Sequence, residues 1–331
     1  MRYYAWLAIA STMLHVIAEW IAPAALVSQA LHLLLAPAAP LLLLALCRRS
    51  WSLVLWLGPC LVAQALVCGP WLLSSRTRPP ATESGFSVLS WNLNSGGNSP
   101  GDIVREIRDL APSIVLLQEA QPVHVAPILE QLSGLYPYRR VFGKGVTSKA
   151  YLSKVEPTHV EMVSPSGSPP YLELSFSHQG HPITIASVHT STRVAFLGRI
   201  AWDYPGLKQL AGEFAAREHA ILVGDLNTTE RTPVYGDLVA TGLVDSFRET
   251  RNVPGFTFPV VYGPGRTALP PLFRIDYQWH TRDLVCLDSR VTKAAGSDHL
   301  GVLAVYTIHA RPRPSEEPGL NSVGVTRTGQ D

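Results

Sequence analysis

Hydrophobic positions divide this chain of 331 residues into two parts with different periods. Up to Leu73 they run almost unbroken. Tyr3–Ile21, Leu26–Leu46 and Trp51–Leu73 each approach the about 20 apolar residues with which a helix crosses a bilayer. Pro23 separates the first two stretches and Arg48-Arg49 the last two. Tyr3, Tyr4, Trp6 and Trp20 sit near the ends of the first, Trp51 and Trp71 near the ends of the third, at the depth that amphipathic rings favour. The runs exceed the about 7–15 residues of a signal-peptide core and carry no clear small-residue cleavage site. From Phe86 onward, short apolar runs alternate with polar turns. They predict strands at Phe86–Trp91, Ile114–Leu117, Arg139–Phe142, Ala150–Ser153, Tyr171–Phe176, Ile183–Val188, Ala220–Val223, Phe273–Trp279, Leu284–Thr292 and Val302–Ile308. Ser99-Pro100 reads as an N-cap with Pro at the first helical position, followed by Ile103, Val104, Ile107 and Leu110 on one face. Val125, Ile128, Leu129 and Leu132 predict a second helix. Ile200–Ala216 predicts a third, with a break near Pro205.

Strands outnumber helices, and the two are interspersed rather than strictly alternating. That fits two packed sheets with outer helices better than one doubly wound sheet. The chain accordingly divides into an apolar region of three transmembrane helices at 1–73, a polar, Pro-containing linker at 74–85, a folded domain at 86–309 and a disordered tail at 310–331.

Charge sharpens this division. The first 78 residues hold five of the 27 Lys and Arg residues and one of the 25 acidic ones, Glu19. The remainder is slightly acidic, so nucleic acid, whose binding rests on many phosphate contacts with a basic surface, is not a favoured partner. Arg2, Arg48 and Arg49 share one side of a three-span arrangement, which places the N-terminus inside and everything after Leu73 outside. Arg76 and Arg78 argue weakly the other way. Beyond Cys68 only Cys286 remains, which excludes an internal disulfide or a C-x-x-C metal pair from the folded domain.

Polar residues recur just past the ends of the buried strands: Asn92 and Asn94, Glu119, His189, Asp225 and Asn227, Asp276, then Asp298 and His299. Taken singly, most have ordinary readings. Asp225-Leu226-Asn227 is a common turn, a lone histidine is usually a satisfied core residue, and Asp298 could cap a helix. Asp276 is different, because it falls inside a predicted strand, where Asp is disfavoured. As a group they form an oxygen-rich set suited to Mg²⁺, without the several His or Cys ligands that zinc usually takes.

In chain order, Ser90-Trp91-Asn92-Leu93-Asn94, Leu117-Gln118-Glu119, Ser187-Val188-His189-Thr190, Gly224-Asp225-Leu226-Asn227, Arg274-Ile275-Asp276-Tyr277 and Gly296-Ser297-Asp298-His299 resemble the endonuclease/exonuclease/phosphatase (DNase I-like) superfamily over about Phe86–Ile308. The resemblance implies an α/β fold, a four-layered sandwich of two packed mixed sheets flanked by helices, with the site at one sheet edge. It implies Mg²⁺ (or Mn²⁺) held mainly by Glu119, with Asn92 and Asp298 completing the metal environment. Asp225 would orient or deprotonate the attacking water, Asn227 would bond a phosphoryl oxygen, and His299, held by Asp276, would stabilise the phosphoryl group. His189 would bond the phosphate or assist the leaving oxygen. Asn94 stands where some members have Asp. Ser187–Thr190 departs from the Tyr-x-Pro-Asn element of the apurinic endonuclease branch, and Gly301 stands where many members have Pro. The layout is similar to that of the teicoplanin-resistance membrane proteins. The expectation is a membrane-anchored phosphatase or phosphodiesterase with its catalytic domain outside, acting on a lipid-linked or small phosphate ester. An extracytoplasmic nuclease and a silent binder of phosphorylated ligands are the alternatives.

Overall fold

The computed structural model of the chain describes residues 1–16, 30–73, 85–96, 99–190, 192–195, 199–202, 204–260 and 270–309. The tail, the linker up to residue 84 and Glu19 lie outside the described residues. Among the described residues, four helices open the chain: α1 (Arg2–Val16), α2 (Leu31–Leu35), α3 (Ala38–Cys47) and α4 (Trp51–Leu73). They pack through Ala5, Ala8, Leu31, Leu35, Ala38, Ala45, Leu57 and Cys60, where the small side chains let the backbones approach closely. The described part of the second apolar stretch is therefore two helices rather than the single one its composition suggests. Pro37, which has no N–H to continue the ladder, stands at the break. Among the described residues no helix is long and apolar enough to cross a membrane. The longest of them, α4, has 23 residues.

The rest of the described chain is built on two six-stranded sheets. The first contains β1 (Phe86–Asn92), β2 (Ile114–Gln118), β3 (Tyr138–Phe142) and β4 (Lys149–Ser153). The second contains β5 (Pro157–Val163), β6 (Tyr171–His178) and β7 (His181–His189). A small hairpin, β8 (Thr192–Ala195) and β9 (Arg199–Trp202), stands apart. β10 (Ala220–Asp225), β11 (Val244–Asp245) and β12 (Asp276–His280) complete the second sheet; β13 (Leu284–Val291) and β14 (Val302–Ile308) complete the first. The strand orders are β13-β14-β1-β2-β4-β3 and β11-β12-β10-β7-β6-β5. Each sheet is organised around one parallel pair, β1 with β2 and β7 with β10; its other pairings are antiparallel.

Three apolar layers hold the stack together. Val88, Ile114 and Leu116 meet Leu172, Ile185, Ile221 and Val223 between the sheets. On the outer face of the first sheet, α5 (Pro100–Leu110) and α6 (Pro122–Gln131) press Ile103, Ile107, Val125 and Ile128 onto Leu89, Trp91, Val115 and Leu117. On the outer face of the second, α7 (Tyr204–Ala215) and α8 (Pro233–Ala240) press Leu207, Leu210, Phe214 and Leu238 onto Val188, Leu222 and Trp279. Successive side chains of a strand point to opposite faces. Burial of both faces is why the central strands read as continuous apolar runs rather than alternating ones. The four layers match the expected sandwich.

Three local expectations need correction. Residues 200–202 belong to β9, and α7 starts only at Tyr204. Pro205 thus lies in a first helical turn, where its missing N–H costs nothing. The strand expected from Phe273 starts at Asp276; Phe273 makes a single bridge to Phe258 instead. Ser99 precedes α5 as expected, yet its hydroxyl donates to Asp102 at 2.6 Å rather than capping the helix N–H groups. The edge strand β5, α8 and the short α9 (Ser246–Thr250) went unanticipated. β5 is half exposed, so it carries no strong apolar run.

Candidate active site

Strand direction brings the polar residues together. Asn92 ends β1, Glu119 follows β2, His189 ends β7 and Asp225 ends β10, so the C-terminal ends of both parallel pairs supply one residue per strand. Asp276 opens β12, and His299 lies just before β14. Both strands run antiparallel to the central ones, to β10 and β1 respectively, so their starts fall at the same edge. The two sheets are tied there by Gln118, whose Nε2 donates to Ser90 Oγ at 3.1 Å and to Ser187 Oγ of the opposite sheet at 2.8 Å. The 297–299 segment is fixed to β1. Ser297 Oγ donates to Asn92 O at 2.7 Å, and Trp91 Nε1 donates to His299 O at 2.9 Å.

Asp225 and Asp276 are direct cross-strand partners, a like-charge pairing that is destabilising unless compensated. His299 compensates it. Its Nδ1–H donates to Asp276 Oδ2 at 2.9 Å, and its Nε2 lies 3.8 Å from Asp225 Oδ2 and 4.0 Å from Asp298 Oδ1. Burial pushes the imidazole pKa down, but Asp276 and then Asp225 overcome it and raise the value to about 10. His299 is therefore an imidazolium at neutral pH. Burial raises the Asp225 carboxyl, with His299 pulling it down and Asp276 pushing it up. Asp298 is also raised by burial, against His299.

Asn92 links the two sides of the site: its Nδ2 donates to Glu119 Oε1 at 3.2 Å and to Asp225 Oδ2 at 2.9 Å. His189 Nδ1 donates to Val146 O at 3.1 Å; a carbonyl only accepts, so Nδ1 carries the proton. Its Nε2 faces Glu119 Oε1 at 3.6 Å and Asp225 Oδ2 at 3.7 Å. Asn227 turns its Nδ2 to Thr190 O at 2.6 Å and to Asp225 Oδ2 at 3.3 Å, so its amide here faces its own neighbours. Eight of the nine polar residues singled out in the sequence thus join one contact network through their side chains. Asn94 is exposed, and only its backbone N–H enters, donating to Asn92 Oδ1 at 2.9 Å.

The backbone is bent to make this possible. Glu119 and Asn227 occupy the left-handed region at φ 49° and 48°, at a cost of about 1–3 kcal/mol for a non-glycine residue. Gly224 has φ 137°, and a Cβ there would lie 1.9 Å from Val188 O, so only glycine lets β10 approach β7 immediately before Asp225. Sequence reasoning missed Ser95, whose Oγ donates to Glu119 Oε2 at 3.3 Å; it adjoins Asn94 and was findable there. It also missed Val146 and Phe258. Phe258 packs its ring 4.7 Å from that of His299, and nothing local in the chain marks either residue.

The donors fit a hard divalent cation. Asp298 Oδ1 is buried without a hydrogen-bond partner, and Glu119 offers a carboxylate held by two weak neutral donors. Oxygen donors of this kind suit such an ion. Asn92 Oδ1 accepts the Asn94 N–H and keeps a second lone pair that could face the ion. A separate group, Asp225, Asp276 and His299, brings its ligand atoms within 4.8 Å of one another; these three are already paired among themselves.

The model of the Endonuclease/Exonuclease/phosphatase family matches residues 89–299. Among solved structures, the chain is similar to the endonuclease/exonuclease/phosphatase from Beutenbergia cavernae DSM 12333, at 16% identity over 68% of this chain and 72% of that one, with a TM-score of 0.51. It is similar to D. rerio TDP2 complexed with single strand DNA product, at 17% identity over 68% and 100%, TM-score 0.52. A family protein from Bacteroides thetaiotaomicron aligns at 16% identity over 67% and 97%, TM-score 0.50. Likeness at these identities speaks to the fold. No curated protein matches the chain. The matched span runs from β1 through His299 and takes in every residue of the network above, and by that match the chain belongs to the endonuclease/exonuclease/phosphatase family.

Proposed function

We propose that this protein is a divalent-metal-dependent phosphoesterase, held at a membrane by its N-terminal apolar region, with its site outside, acting on a lipid-linked or small phosphate ester. The observation that carries the hydrolase reading is the single network joining Asn92, Glu119, His189, Asp225, Asn227, Asp276, Asp298 and His299. A bound cation at Glu119 and Asp298 would neutralise phosphoryl oxygens. The chain's own groups supply the rest. Asp225, whose affinity for a proton burial increases, accepts the proton of an attacking water. The new P–O bond forms as the ester P–O bond opposite it breaks. His299 presents its Nε2–H and positive charge to the phosphoryl oxygens, and Asp276 keeps it charged and oriented. His189, when Nε2 also carries a proton, donates that proton to the leaving oxygen, and Asp225, 3.7 Å from Nε2, returns to it the proton taken from the water.

The membrane part rests on the three apolar stretches and on the clustering of Arg2, Arg48 and Arg49. A lipid-linked substrate follows from placing the site beside a bilayer. A nuclease is the second reading, favoured by the likeness to a TDP2 bound to single strand DNA product. The test is hydrolysis of lipid phosphates, phosphodiesters, nucleotides and DNA, with and without Mg²⁺. Asp225→Ala and His299→Ala are expected to lower turnover at least about 10²-fold. Wild-type turnover in both variants removes the assigned roles, and salt-sensitive DNA degradation as the best activity selects the nuclease.

A further inference from the structure

His32 of α2 reaches the other part of the molecule. Its Nε2 donates to Leu272 O at 2.8 Å; the acceptor is a carbonyl, so Nε2 carries the proton. Its ring lies 5.2 Å from that of Phe256 and 5.9 Å, edge-on, from that of Phe273. Leu272 and Phe273 in turn donate their backbone N–H groups to Phe258 O, at 2.9 and 2.7 Å. The segment 257–260 is bonded to Asp276 and to both chain neighbours of His299. Thr257 Oγ1 accepts from the N–H groups of Ile275 and Asp276 at 3.3 and 3.4 Å. Leu300 N donates to Thr257 O at 2.8 Å, and Val260 N donates to Asp298 O at 2.7 Å. Phe258 lies against the His299 ring. One continuous chain of contacts therefore runs from α2 through the Phe258–Phe273 bridge to Asp276 and His299.

We propose that His32 is a positioning residue: by clamping the Phe258–Phe273 bridge it sets the placement of the Asp276–His299 dyad, so the N-terminal helices form part of the working enzyme and not only its tether. This rests on the hydrolase reading above. Apolar packing alone would hold the two parts together without a directed hydrogen bond. A buried imidazole donating to a backbone carbonyl fixes distance and angle. The placement also agrees with the proposed topology, since α2 starts near the end of the second stretch that shares its side with the catalytic domain.

The test uses the full chain in detergent or nanodiscs, with bis(p-nitrophenyl) phosphate and Mg²⁺ as probe. His32→Ala is expected to lower kcat about tenfold while leaving KM within about twofold, the signature of a lost transition-state interaction. His32→Gln, which retains a side-chain N–H donor, is expected to recover most of the loss. Leu57→Ala loosens the same helical cluster but removes no atom of the latch, and is expected to keep kcat. Amide hydrogen exchange at 257, 258 and 260 is expected to rise about tenfold in His32→Ala alone. Unchanged kcat and exchange in His32→Ala, or an equal loss in Leu57→Ala, overturns the proposal. A wild-type protein with no esterase activity defeats the hydrolase reading, and the exchange arm still decides the latch. Should His32→Ala not accumulate, Phe256→Leu loosens the latch from the catalytic side and carries the same expectations.

Discussion

At the scale of the residue, the site is governed by charges that cannot all be satisfied separately. Asp225 and Asp276 stand opposite each other, and one imidazolium serves both. Because His299 binds its proton more tightly in the folded state, to a pKa of about 10 against an ordinary 6.5, the paired state adds stability fully below about pH 6.5, and this is lost as pH rises through about 10. Urea melts of metal-free protein are expected to show wild type losing its advantage over His299→Gln between about pH 6.5 and 10; parallel curves would refute the pairing. Lys149 is the opposite case. It is 1% exposed, beside Gln118 on the neighbouring strand, with one long contact to Thr147 O at 3.4 Å. Burial lowers its pKa to about 8. The folded state therefore carries a penalty that is full below pH 8 and disappears above about pH 10.5. Lys149→Met is expected to stabilise the protein by about 1–3 kcal/mol at pH 7, with the gain fading as pH rises through that window.

Elements explain why these residues meet. Asn92, Glu119, His189 and Asp225 each stand at or just past the end of a buried strand, a pattern visible in the chain because a continuous apolar run ends abruptly in a carboxylate, an amide or an imidazole. Which strands are parallel neighbours is decided by packing, and that is what places the four ends at one edge. The junction of β7 and β10 is the tightest point. A methyl group at Gly224 would collide with Val188 O, so Gly224→Ala is expected to destabilise by about 3 kcal/mol or more and to displace Asp225. A cooperative melt within about 0.5 kcal/mol of wild type would show that the strands can separate without consequence. The misplaced start of α7 has the same origin. Apolar residues 200–202 satisfy a helical or a strand pattern equally, and pairing with β8 selects the strand.

For the whole molecule, the apolar N-terminal region and the catalytic domain are in contact through His32, a relation that no composition or periodicity conveys. Positive charge at Arg2, Arg48 and Arg49 sets the expected orientation. A reporter fused after Ile308 is expected to give an extracytoplasmic signal, and a cytoplasmic one would reverse the topology. The second apolar stretch shows the limit of counting hydrophobic residues. Its length suits one span, yet Pro37 divides it, and the polar ring of His32 is used against the domain that follows.

What the chain determined alone was the alternation of buried strands and polar ends, the two-sheet layering and the identity of the eight polar residues, because burial and turn chemistry act locally along the sequence. What tertiary structure decided was their pairing: the shared imidazolium of His299, the Val146 carbonyl that orients His189, the Phe258 ring over the dyad, and the reach of His32 into it. Those depend on which distant segments share an edge, and strand order and sheet packing, not local pattern, settle that.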